Sequence, residues 1–475
     1  MLDKRKFFIN GQWVNPAKPN DFKVINPANE KPIAVISMGA EADINNAVSV
    51  AKKIFLSYSQ TSTEERLVLL ERLLEIYKRR YVEMVDIITL ELGAPTTMSA
   101  EAQADTGIGH LQGFIDGLRQ LTTREKLSNG DVLCREPIGV CGLITPWNWP
   151  INQIALKVLP ALATGCTCVL KPSEQTPLCA MLYAEMIEEA GFPAGCFNLV
   201  NGDGINVGSV LSAHKDVDMI SFTGSTAAGI TISKSAANTV KRVTLELGGK
   251  SPYIIFDDAD LEASITNCIQ SCFYNSGQSC DAPTRMLVQQ SVYDEALRIA
   301  QSVASQVVVG NPQDEGDHLG PLVSGIQFDR VQMMIEKGIN EGATLLTGGK
   351  GRPTGFEVGY FTKPTLFADV TSTMSVFREE IFGPVLTISV FDDEAQAIEM
   401  ANDTDFGLAA YVDSNDVMRA ERVAARIRAG MVHINGGPHR YGSPFGGYKH
   451  SGIGREGGVL GLEDFLEIKT LHYPD

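Results

Sequence analysis

One cysteine of the chain stands in a setting that suits a nucleophile. The stretch YNSGQSCDAPTR, residues 274–285, places Cys280 among small polar residues, which leave room for other groups to approach the sulfur. A free thiol has a pKa of about 8.5, so a useful nucleophile needs surroundings that stabilise its thiolate. The other cysteines mostly lie in apolar segments such as CTCVL and NCIQSC, where burial explains them. A buried structural role for Cys280 remains the alternative.

An asparagine between two prolines could stabilise an oxyanion. The segment PWNWP, residues 146–150, follows an apolar strand, and its prolines restrict the backbone on both sides. The side-chain amide of Asn148 could therefore point at a carbonyl oxygen that develops negative charge. In the alternative interpretation, Asn148 only caps its own turn.

A glutamate at a strand end could act as a general base. In LELGGKS, residues 245–251, Glu246 ends an apolar run and two glycines follow it. A half-buried carboxylate tends to have a raised pKa, which suits a base that works near neutrality. An exposed strand-end glutamate is the alternative. The GGKS segment does not complete a P-loop, because Thr244 stands where that motif needs glycine.

Two further segments suggest a nucleotide site. FTGSTAAG, residues 222–229, predicts a strand, a Gly-Ser turn and a helix start, whose free N–H groups favour a pyrophosphate. It lacks the spacing of the Rossmann fingerprint, and a simple helix entry stays open. KPSE, residues 171–174, follows another predicted strand, so Lys171 and Glu174 could reach ribose hydroxyls or could form a solvated charge pair.

Composition narrows the class of protein. The chain has 475 residues and a formal net charge of −17, which disfavours nucleic acid and anionic membranes as partners. No signal peptide or spanning segment is recognisable, and the nine cysteines are unclustered. We therefore expect a cytoplasmic protein without disulfides. The cysteines and the scattered histidines lack zinc spacing, so no metal site is predicted.

The elements that must position these residues alternate between strand and helix. Short apolar runs from Gly139 onward, such as GVCGLI and CTCVLK, read as buried strands with helices between them. A second series begins after about residue 250. The pattern predicts an α/β fold with two parallel-sheet domains. Residues 62–93 predict a helix with a Ser62–Glu65 capping box, and Asn129-Gly130 predicts a polar hairpin.

Taken together, these segments resemble the aldehyde dehydrogenase superfamily, from FINGQWV near the start to SPFGGYKHSGIGREGG near the end. The resemblance implies that Cys280 is the nucleophile, Glu246 the general base and Asn148 part of the oxyanion hole. It implies oxidation of an aldehyde to its acid through a covalent thioester, with water as the acyl acceptor because Glu246 is present. A CoA-acylating dehydrogenase and a non-catalytic protein of the same fold are the alternatives.

The resemblance also implies the binding residues. It assigns the nicotinamide cofactor to Thr145, Pro146, Trp147, Lys171, Glu174, Gly224, Ser225, Glu380 and Phe382. It assigns the substrate to Trp149, Gln153, Ser279, Asp281, His439, Arg440 and Tyr441. A carboxylate at Glu174 would repel a 2′-phosphate, so we expect NAD in preference to NADP. Leu156 stands where relatives that oxidise succinate semialdehyde have an arginine, although Arg440 could offer a different cationic contact.

The same resemblance implies the division of the chain. The cofactor domain is expected at residues 1–118 and 138–246 and is Rossmann-like, and the catalytic domain is expected at 247–450. A small β element, residues 119–137 and 451–475, is expected to mediate oligomerisation. Its apolar alternating arm at the terminus agrees with pairing onto a neighbour's sheet. We therefore expect a homodimer or a homotetramer that takes a small aldehyde as substrate.

Overall fold

The computed structural model describes residues 1–474. In chain order, the strands in this range are β1 (Leu2–Lys4), β2 (Phe7–Ile9), β3 (Gln12–Val14), β4 (Asp21–Asn26), β5 (Lys31–Ser37), β6 (Arg124–Lys126), β7 (Val132–Pro137), β8 (Val140–Ile144), β9 (Thr167–Lys171), β10 (Phe197–Leu199), β11 (Met219–Thr223), β12 (Arg242–Glu246), β13 (Pro252–Ile255), β14 (Arg285–Gln289), β15 (Thr344–Thr347), β16 (Thr365–Ala368), β17 (Val385–Phe391), β18 (Ala409–Asp413), β19 (Met431–Ile434), β20 (Gly452–Ile453) and β21 (Leu466–Leu471).

The α-helices of the same range are α1 (Glu41–Tyr58), α2 (Thr63–Arg79), α3 (Tyr81–Glu91), α4 (Thr96–Met98), α5 (Asp105–Gln120), α6 (Pro150–Thr164), α7 (Leu178–Ala190), α8 (Ser209–Ala213), α9 (Thr226–Ala237), α10 (Leu261–Phe273), α11 (Tyr293–Ser305), α12 (Gly325–Asn340), α13 (Ser375–Arg378), α14 (Glu394–Asn402), α15 (Val417–Ala424) and α16 (Gly458–Glu463). None of the helices within residues 1–474 is long and apolar enough to cross a membrane.

The first large sheet has the order β20-β12-β11-β8-β9-β10-β2-β3. Its five central strands run parallel, and the flanking strands run antiparallel to their neighbours. Strands β8 and β9 are buried along their whole length, as expected for strands covered by helices on both faces. Successive residues of β8 belong to different hydrophobic clusters: Leu143 packs on one face and Ile144 on the other.

The strand order of this sheet creates a crevice. From β8 the chain adds β9 and β10 on one side, and it then returns to add β11 and β12 on the other. Ligands of open α/β sheets bind at the carboxyl ends of the strands where the order reverses in this way. The segments after β8, β11 and β12 therefore meet at the expected binding crevice.

The second large sheet has the order β15-β16-β17-β14-β13-β18-β19, with only its edge strand β15 antiparallel among the described strands. Two further hydrophobic clusters cover its two faces. The segments just before β13, β14 and β17 lie at the amino ends of these strands. They face the carboxyl ends of the first sheet, so the two domains contribute opposite strand ends to one cleft. The predicted fold class, two parallel-sheet α/β domains, is confirmed.

The C-terminal segment contributes strands to two different sheets. Strand β21 pairs with β7, which pairs with β6, in an antiparallel three-stranded sheet. Strand β20, by contrast, pairs with β12 of the first large sheet, and α16 packs against α5 and α6. Residues 452–463, which we grouped with the oligomerisation element, therefore lie on the first domain. The domain boundaries remain a prediction.

Three local predictions differ in outcome. The Ser62–Glu65 capping box is present, since Glu65 N–H donates to Ser62 Oγ at 3.2 Å and Ser62 N–H donates to Glu65 Oε2 at 2.7 Å. The single helix predicted over residues 62–93 is wrong, because the chain leaves helical geometry at Arg80 (φ −98°, ψ 16°) and forms α2 and α3. The hairpin near Asn129-Gly130 joins β6 to β7, with Gly130 at φ +94°.

Candidate active site

The loop before β14 holds Cys280 on a backbone that few sequences can adopt. Asn275, Ser276 and Gly277 all have positive φ angles, at 53°, 55° and 73°. A Cβ atom at Gly277 would lie 2.1 Å from the carbonyl oxygen of Gly383, so this position requires glycine. Ser276 Oγ–H donates to Gly320 O at 2.8 Å, which ties the turn to its surroundings. Left-handed residues cost free energy, and neighbouring structure must hold them in place.

Cys280 differs from the other cysteines in exposure. All nine lie within the described residues, and Cys280 alone is half-buried, while the other eight are buried. Burial raises the pKa of its thiol well above the ordinary value, and the carboxylates of Asp281, Glu380 and Glu246 raise it further. The thiol therefore needs a proton acceptor before it can react near neutral pH. The backbone of Cys280 also lies close to Gly249, where a Cβ atom would be 2.3 Å from Cys280 O.

Asn148 lies beside the cysteine loop in a fixed orientation. Its backbone carbonyl accepts hydrogen bonds from Asn275 Nδ2 at 2.8 Å and from Gln103 Nε2 at 3.1 Å. Its side-chain Nδ2 donates to Gln278 O at 3.1 Å. An amide nitrogen carries two hydrogens, so one remains for a further acceptor. Within residues 1–474, the Cys280 backbone N–H also donates to no backbone oxygen. The two groups together can form an oxyanion hole.

Glu246 ends β12 as a buried acid. Only 2% of the residue is exposed, and neither carboxylate oxygen has a hydrogen-bond partner among the described residues. Burial raises the pKa of this carboxyl well above its usual range, and the nearby Glu456 adds to the effect. Gly446 approaches so closely that a Cβ atom there would lie 2.5 Å from Glu246 Oε1. Such a carboxylate takes up protons readily, as a general base must.

A buried ion pair behind Glu246 was not predicted from the sequence. Lys157 Nζ contacts Glu456 and donates to Thr223 Oγ1 at 2.6 Å, and Lys157 is fully buried. Its ammonium lowers the pKa of Glu246 in part, opposing Glu456. The sequence showed Lys157 only as a polar interruption of an apolar run. Its partner lies 299 positions away, so only the fold brings the pair together.

The crevice of the first sheet holds the residues that could bind a nucleotide. Gly224 and Ser225 lie between β11 and α9, and Ser225 Oγ caps α9 by accepting from Ala228 N–H at 3.3 Å. Gly224 N–H donates to Glu246 O at 3.0 Å, which joins this turn to the catalytic strand. A Cβ atom at Gly224 would lie 2.5 Å from the Phe222 ring, so the tight turn favours glycine.

Lys171 and Glu174 follow β9 on the same edge. Lys171 is buried, and its Nζ donates to Pro172 O at 2.9 Å and to Gly202 O at 2.8 Å. Glu174 is half-buried, and its Oε2 lies 3.7 Å from Lys171 Nζ. The neighbouring Thr145 N–H donates to Lys171 O at 3.1 Å, and Pro146 follows it. Lys171 is thus anchored by carbonyl oxygens, and the carboxylate of Glu174 is available to hydroxyl groups.

The second domain brings an acid and an aromatic wall to the crevice. Glu380 Oε1 accepts from Gly249 N–H at 2.9 Å, and burial raises the pKa of this carboxyl to about 7. Phe382 has φ +61° and packs edge-to-face against Trp147, with ring centroids 5.4 Å apart. Trp147 and Phe382, two predicted cofactor residues from different domains, therefore contact each other.

A cavity of about 760 Å³ is lined by Cys280. Six of the seven predicted substrate residues line it: Trp149, Gln153, Ser279, Asp281, His439 and Tyr441. Trp149 Nε1–H donates to Ser279 Oγ at 2.8 Å, which fixes this wall next to the cysteine. Arg440 does not line the cavity and is exposed, so its predicted contact has no geometric support.

The sequence missed several residues of the cavity wall. Tyr411 and His433 stack at 4.6 Å between ring centroids, and Tyr411 also stacks on Tyr253 at 5.3 Å. His110, from α5, contacts Tyr441 edge-to-face at 5.2 Å. The strands containing Tyr253, Tyr411 and His433 were recognisable as apolar runs. No signal in the sequence showed that their ends meet at one cavity.

A half-buried thiol, an amide donor and a buried carboxylate thus lie near a nucleotide-type crevice, an arrangement that suits oxidation of a carbonyl group. The aldehyde dehydrogenase family model matches residues 13–471, and the chain belongs to this family. It is 50% identical to a 3-succinoylsemialdehyde-pyridine dehydrogenase from a Pseudomonas species, over 99% of each chain.

Solved structures agree with this assignment. The fold is similar to an aldehyde dehydrogenase from Bartonella henselae, with 52% identity, a TM-score of 0.98 and coverage of 100% of each chain. It is also similar to an aldehyde dehydrogenase from Pseudomonas syringae solved with NAD+ and octanal, with 47% identity and a TM-score of 0.97. That match covers 98% of this chain and 96% of the other.

Proposed function

We propose that the protein oxidises an aldehyde to its carboxylic acid with NAD+, using Cys280 as a covalent nucleophile. One observation carries the proposal: Cys280 is the one half-buried cysteine of the described residues, and it lines the large cavity. Asn148 and Glu246 supply an amide donor and a proton acceptor beside it. These are the groups that thiol attack on a carbonyl requires.

Attack begins with loss of the thiol proton. Because the pKa of Cys280 is raised, the thiol needs a base to take its proton. The carboxylate of Glu246 can act as that base, since its own pKa is raised as well. The sulfur then forms a bond to the aldehyde carbon, and the carbonyl electron pair moves onto oxygen. The free Nδ2 hydrogen of Asn148 and the Cys280 N–H stabilise this oxyanion, an effect worth about 10²–10³ in rate for one donor.

The residues around the crevice fit a dinucleotide. Gly224 and Ser225 offer a tight turn at a helix start for a pyrophosphate, and the carboxylates of Glu174 and Glu380 can accept from ribose hydroxyls. Trp147 and Phe382 form an apolar wall next to the cysteine. When bound, the nicotinamide supplies the hydride acceptor that turns the carbon on Cys280 into a thioester.

Glu246 completes the reaction by activating water. Its unpartnered oxygens can take a proton from a water molecule, whose oxygen then attacks the thioester carbon. The carbon–sulfur bond breaks, the acid leaves, and Cys280 regains its proton. A CoA-acylating reaction would not need a base to activate water, so the buried free carboxylate favours hydrolysis.

Glu174 supports NAD+ over NADP+. A half-exposed carboxylate beside the ribose would repel a 2′-phosphate. The variant Glu174→Ser should lower the NAD+/NADP+ ratio of kcat/KM by about tenfold, which corresponds to about 1.4 kcal/mol. Glu357→Gln, at an exposed glutamate elsewhere, serves as the control. An unchanged ratio in Glu174→Ser would contradict this preference.

A homo-oligomer and a cytoplasmic location are part of the proposal. Strand β21 is an edge strand with the exposed Ile468, a surface that a second copy could cover. All nine cysteines are free, which agrees with a reducing compartment. Light scattering of the purified protein tests the assembly, and a monomer would contradict it.

The test of the reaction uses the purified protein, NAD+ and a panel of aldehydes. We expect reduced nicotinamide to appear at 340 nm together with the carboxylic acid, without added coenzyme A. No turnover with any aldehyde, or turnover that depends on coenzyme A, would overturn the proposal.

A further inference from the structure

The charged groups of the large cavity are of one sign. Glu101 lies at its exposed edge and Asp281 lies directly after Cys280, while no lysine or arginine is among the described residues that line it. Arg440, the cation that the sequence offered, is exposed outside the lining. A cavity with low-dielectric walls and acidic groups concentrates cations and excludes anions.

Asp281 holds its carboxylate without a compensating partner. Tyr411 Oη–H donates to the backbone oxygen of Asp281 at 3.2 Å, which fixes the main chain. No side chain within residues 1–474 donates to its carboxylate or forms an ion pair with it. Burial raises the pKa of the Asp281 carboxyl. Its ionised form therefore gains most from a ligand that brings a positive charge.

Two of the three cavity histidines, His110 and His439, do not cancel this charge near neutral pH. Burial lowers the pKa of His110 to about 4, and His110 Nε2 lies 2.7 Å from Asn152 Oδ1. Burial also lowers the pKa of His439. Both rings are therefore neutral at pH 7. His433 Nδ1 donates to Gly437 O at 2.7 Å, which leaves its Nε2 for a ligand.

Two other polar side chains of the cavity lack partners. Gln153 is 4% exposed, and its Oε1 has no hydrogen-bond partner among the residues described. His433 Nε2 is likewise buried and unpartnered in that part of the chain. Native proteins rarely leave buried polar atoms without partners, so these positions point to a ligand that donates hydrogen bonds. This observation is independent of the acidic residues.

The walls between these groups are aromatic. Trp149 and Tyr274 lie 6.1 Å apart between ring centroids. Four further aromatic side chains line the cavity: Tyr253, Tyr411, Tyr441 and Phe445. Aromatic faces attract ammonium groups by about 0.5–2 kcal/mol, depending on exposure. The aromatic walls, the hydrogen-bond acceptors and the acidic groups therefore all favour a positively charged ligand that donates hydrogen bonds.

We propose that the substrate is an aldehyde whose far end carries a protonated amine. Asp281 is the specificity-determining residue, because it is the half-buried one of the two acidic residues that line the cavity. Glu101 contributes more weakly at the exposed edge, where solvent screens it. The proposal rests on the proposed aldehyde oxidation, and it excludes aldehydes with a terminal carboxylate as preferred substrates.

The test compares three aldehydes of similar shape in the wild-type protein with NAD+: 4-(aminomethyl)benzaldehyde, 4-ethylbenzaldehyde and (4-formylphenyl)acetate. We expect kcat/KM to be about tenfold higher for the amine than for the neutral compound, and about tenfold lower for the carboxylate. Equal values for the amine and the neutral compound, or a preference for the carboxylate, would overturn the inference.

Two variants locate the charge. Asp281→Asn should lower the amine-to-neutral ratio of kcat/KM by about tenfold, and Glu101→Gln by about twofold to threefold. Glu357→Gln, at an exposed acid far along the chain, should leave the ratio unchanged. An Asp281→Asn variant with the wild-type ratio would contradict the role of Asp281. If that variant does not fold, the three wild-type values still decide the substrate class.

A binding measurement separates this inference from the proposed function. Calorimetry with the whole protein should show tighter binding of benzylammonium than of benzoate, whether or not any aldehyde is oxidised. Tighter binding of benzoate would overturn the inference. If no aldehyde is oxidised at all, the proposed function is overturned. The preference of the cavity for a positively charged ligand is then still decided by the calorimetry.

Discussion

The catalytic floor and the cavity mouth are built in opposite ways. At the floor, Asn148 and Glu246 are 4% and 2% exposed, and the turn at residues 275–277 is locked by carbonyl contacts. At the mouth, residues 438–444 are exposed, and Tyr441 is held by one hydrogen bond to Asp105 Oδ2 at 3.1 Å. The floor is buried and held by several contacts, whereas the mouth is exposed to solvent. Our proposal therefore assigns reaction chemistry to the floor and substrate choice to the mouth and walls.

The largest effect is expected at the floor. Cys280→Ala removes the nucleophile, so kcat should fall by about 10⁴-fold or more. The buried Cys196, next to β10, provides a matched control. Cys196→Ala should keep activity within about twofold and lower the free energy of unfolding by about 1 kcal/mol. Steady-state kinetics measure kcat, and urea unfolding measures the free energy of unfolding. A Cys280→Ala protein that keeps its activity would show that Cys280 is not the nucleophile.

Asn148→Ala comes next in size. Loss of its Nδ2 donor should lower kcat by about 10²–10³-fold with a smaller change in KM, because the oxyanion forms only in the transition state. Asn129→Ala, in the exposed turn between β6 and β7, is the control for a general loss of stability. A change confined to KM would show that Asn148 binds ground-state substrate instead.

The pH profile tests the surroundings of Glu246. This carboxyl must lose its proton to act, so activity should fall on the acid side as pH drops through its raised pKa. Glu456 raises that pKa, so Glu456→Gln should move the midpoint of the acid limb to lower pH. The double variant Lys157→Met/Glu456→Gln should move it less, because Lys157 opposes Glu456. A midpoint that moves upward in Glu456→Gln would contradict this arrangement.

The smallest effect is expected at the mouth. Tyr441→Phe removes the hydrogen bond to Asp105 and keeps the ring, so kcat/KM should fall by about twofold to fivefold. Initial rates over a range of aldehyde concentrations should place this change in KM. A loss above about 100-fold would place Tyr441 with the floor residues.

The same contrast decides what could be predicted from the sequence. The central strands carry continuous apolar runs, and the residues near Cys280 and Asn148 stand in unusual local patterns, so both were recognisable. Lys157 and Glu456 are far apart in the sequence and show no pattern of their own. The break at Arg80 was also missed, because the apolar spacing of α2 continues into α3 and hides the change in backbone direction.

Substrate residues were predicted less well for a physical reason. The mouth segment contains many glycines and exposed side chains, so its sequence pattern does not fix which side chain faces the cavity. His439 and Tyr441 line the cavity, whereas Arg440 between them does not. Neighbouring side chains of this loop point in different directions. The sequence therefore could not show whether a substrate meets the positive charge of Arg440.

The central claim is a covalent intermediate on Cys280 that Glu246 resolves. The direct measurement is intact-protein mass spectrometry of Glu246→Gln after mixing with aldehyde and NAD+ at alkaline pH, where hydroxide can take the thiol proton. We predict a burst of about one equivalent of reduced nicotinamide and an acyl adduct on the Cys280 peptide, with release slowed by about 10²–10⁴-fold. Steady turnover at the wild-type rate, or an adduct on another residue, would contradict the account.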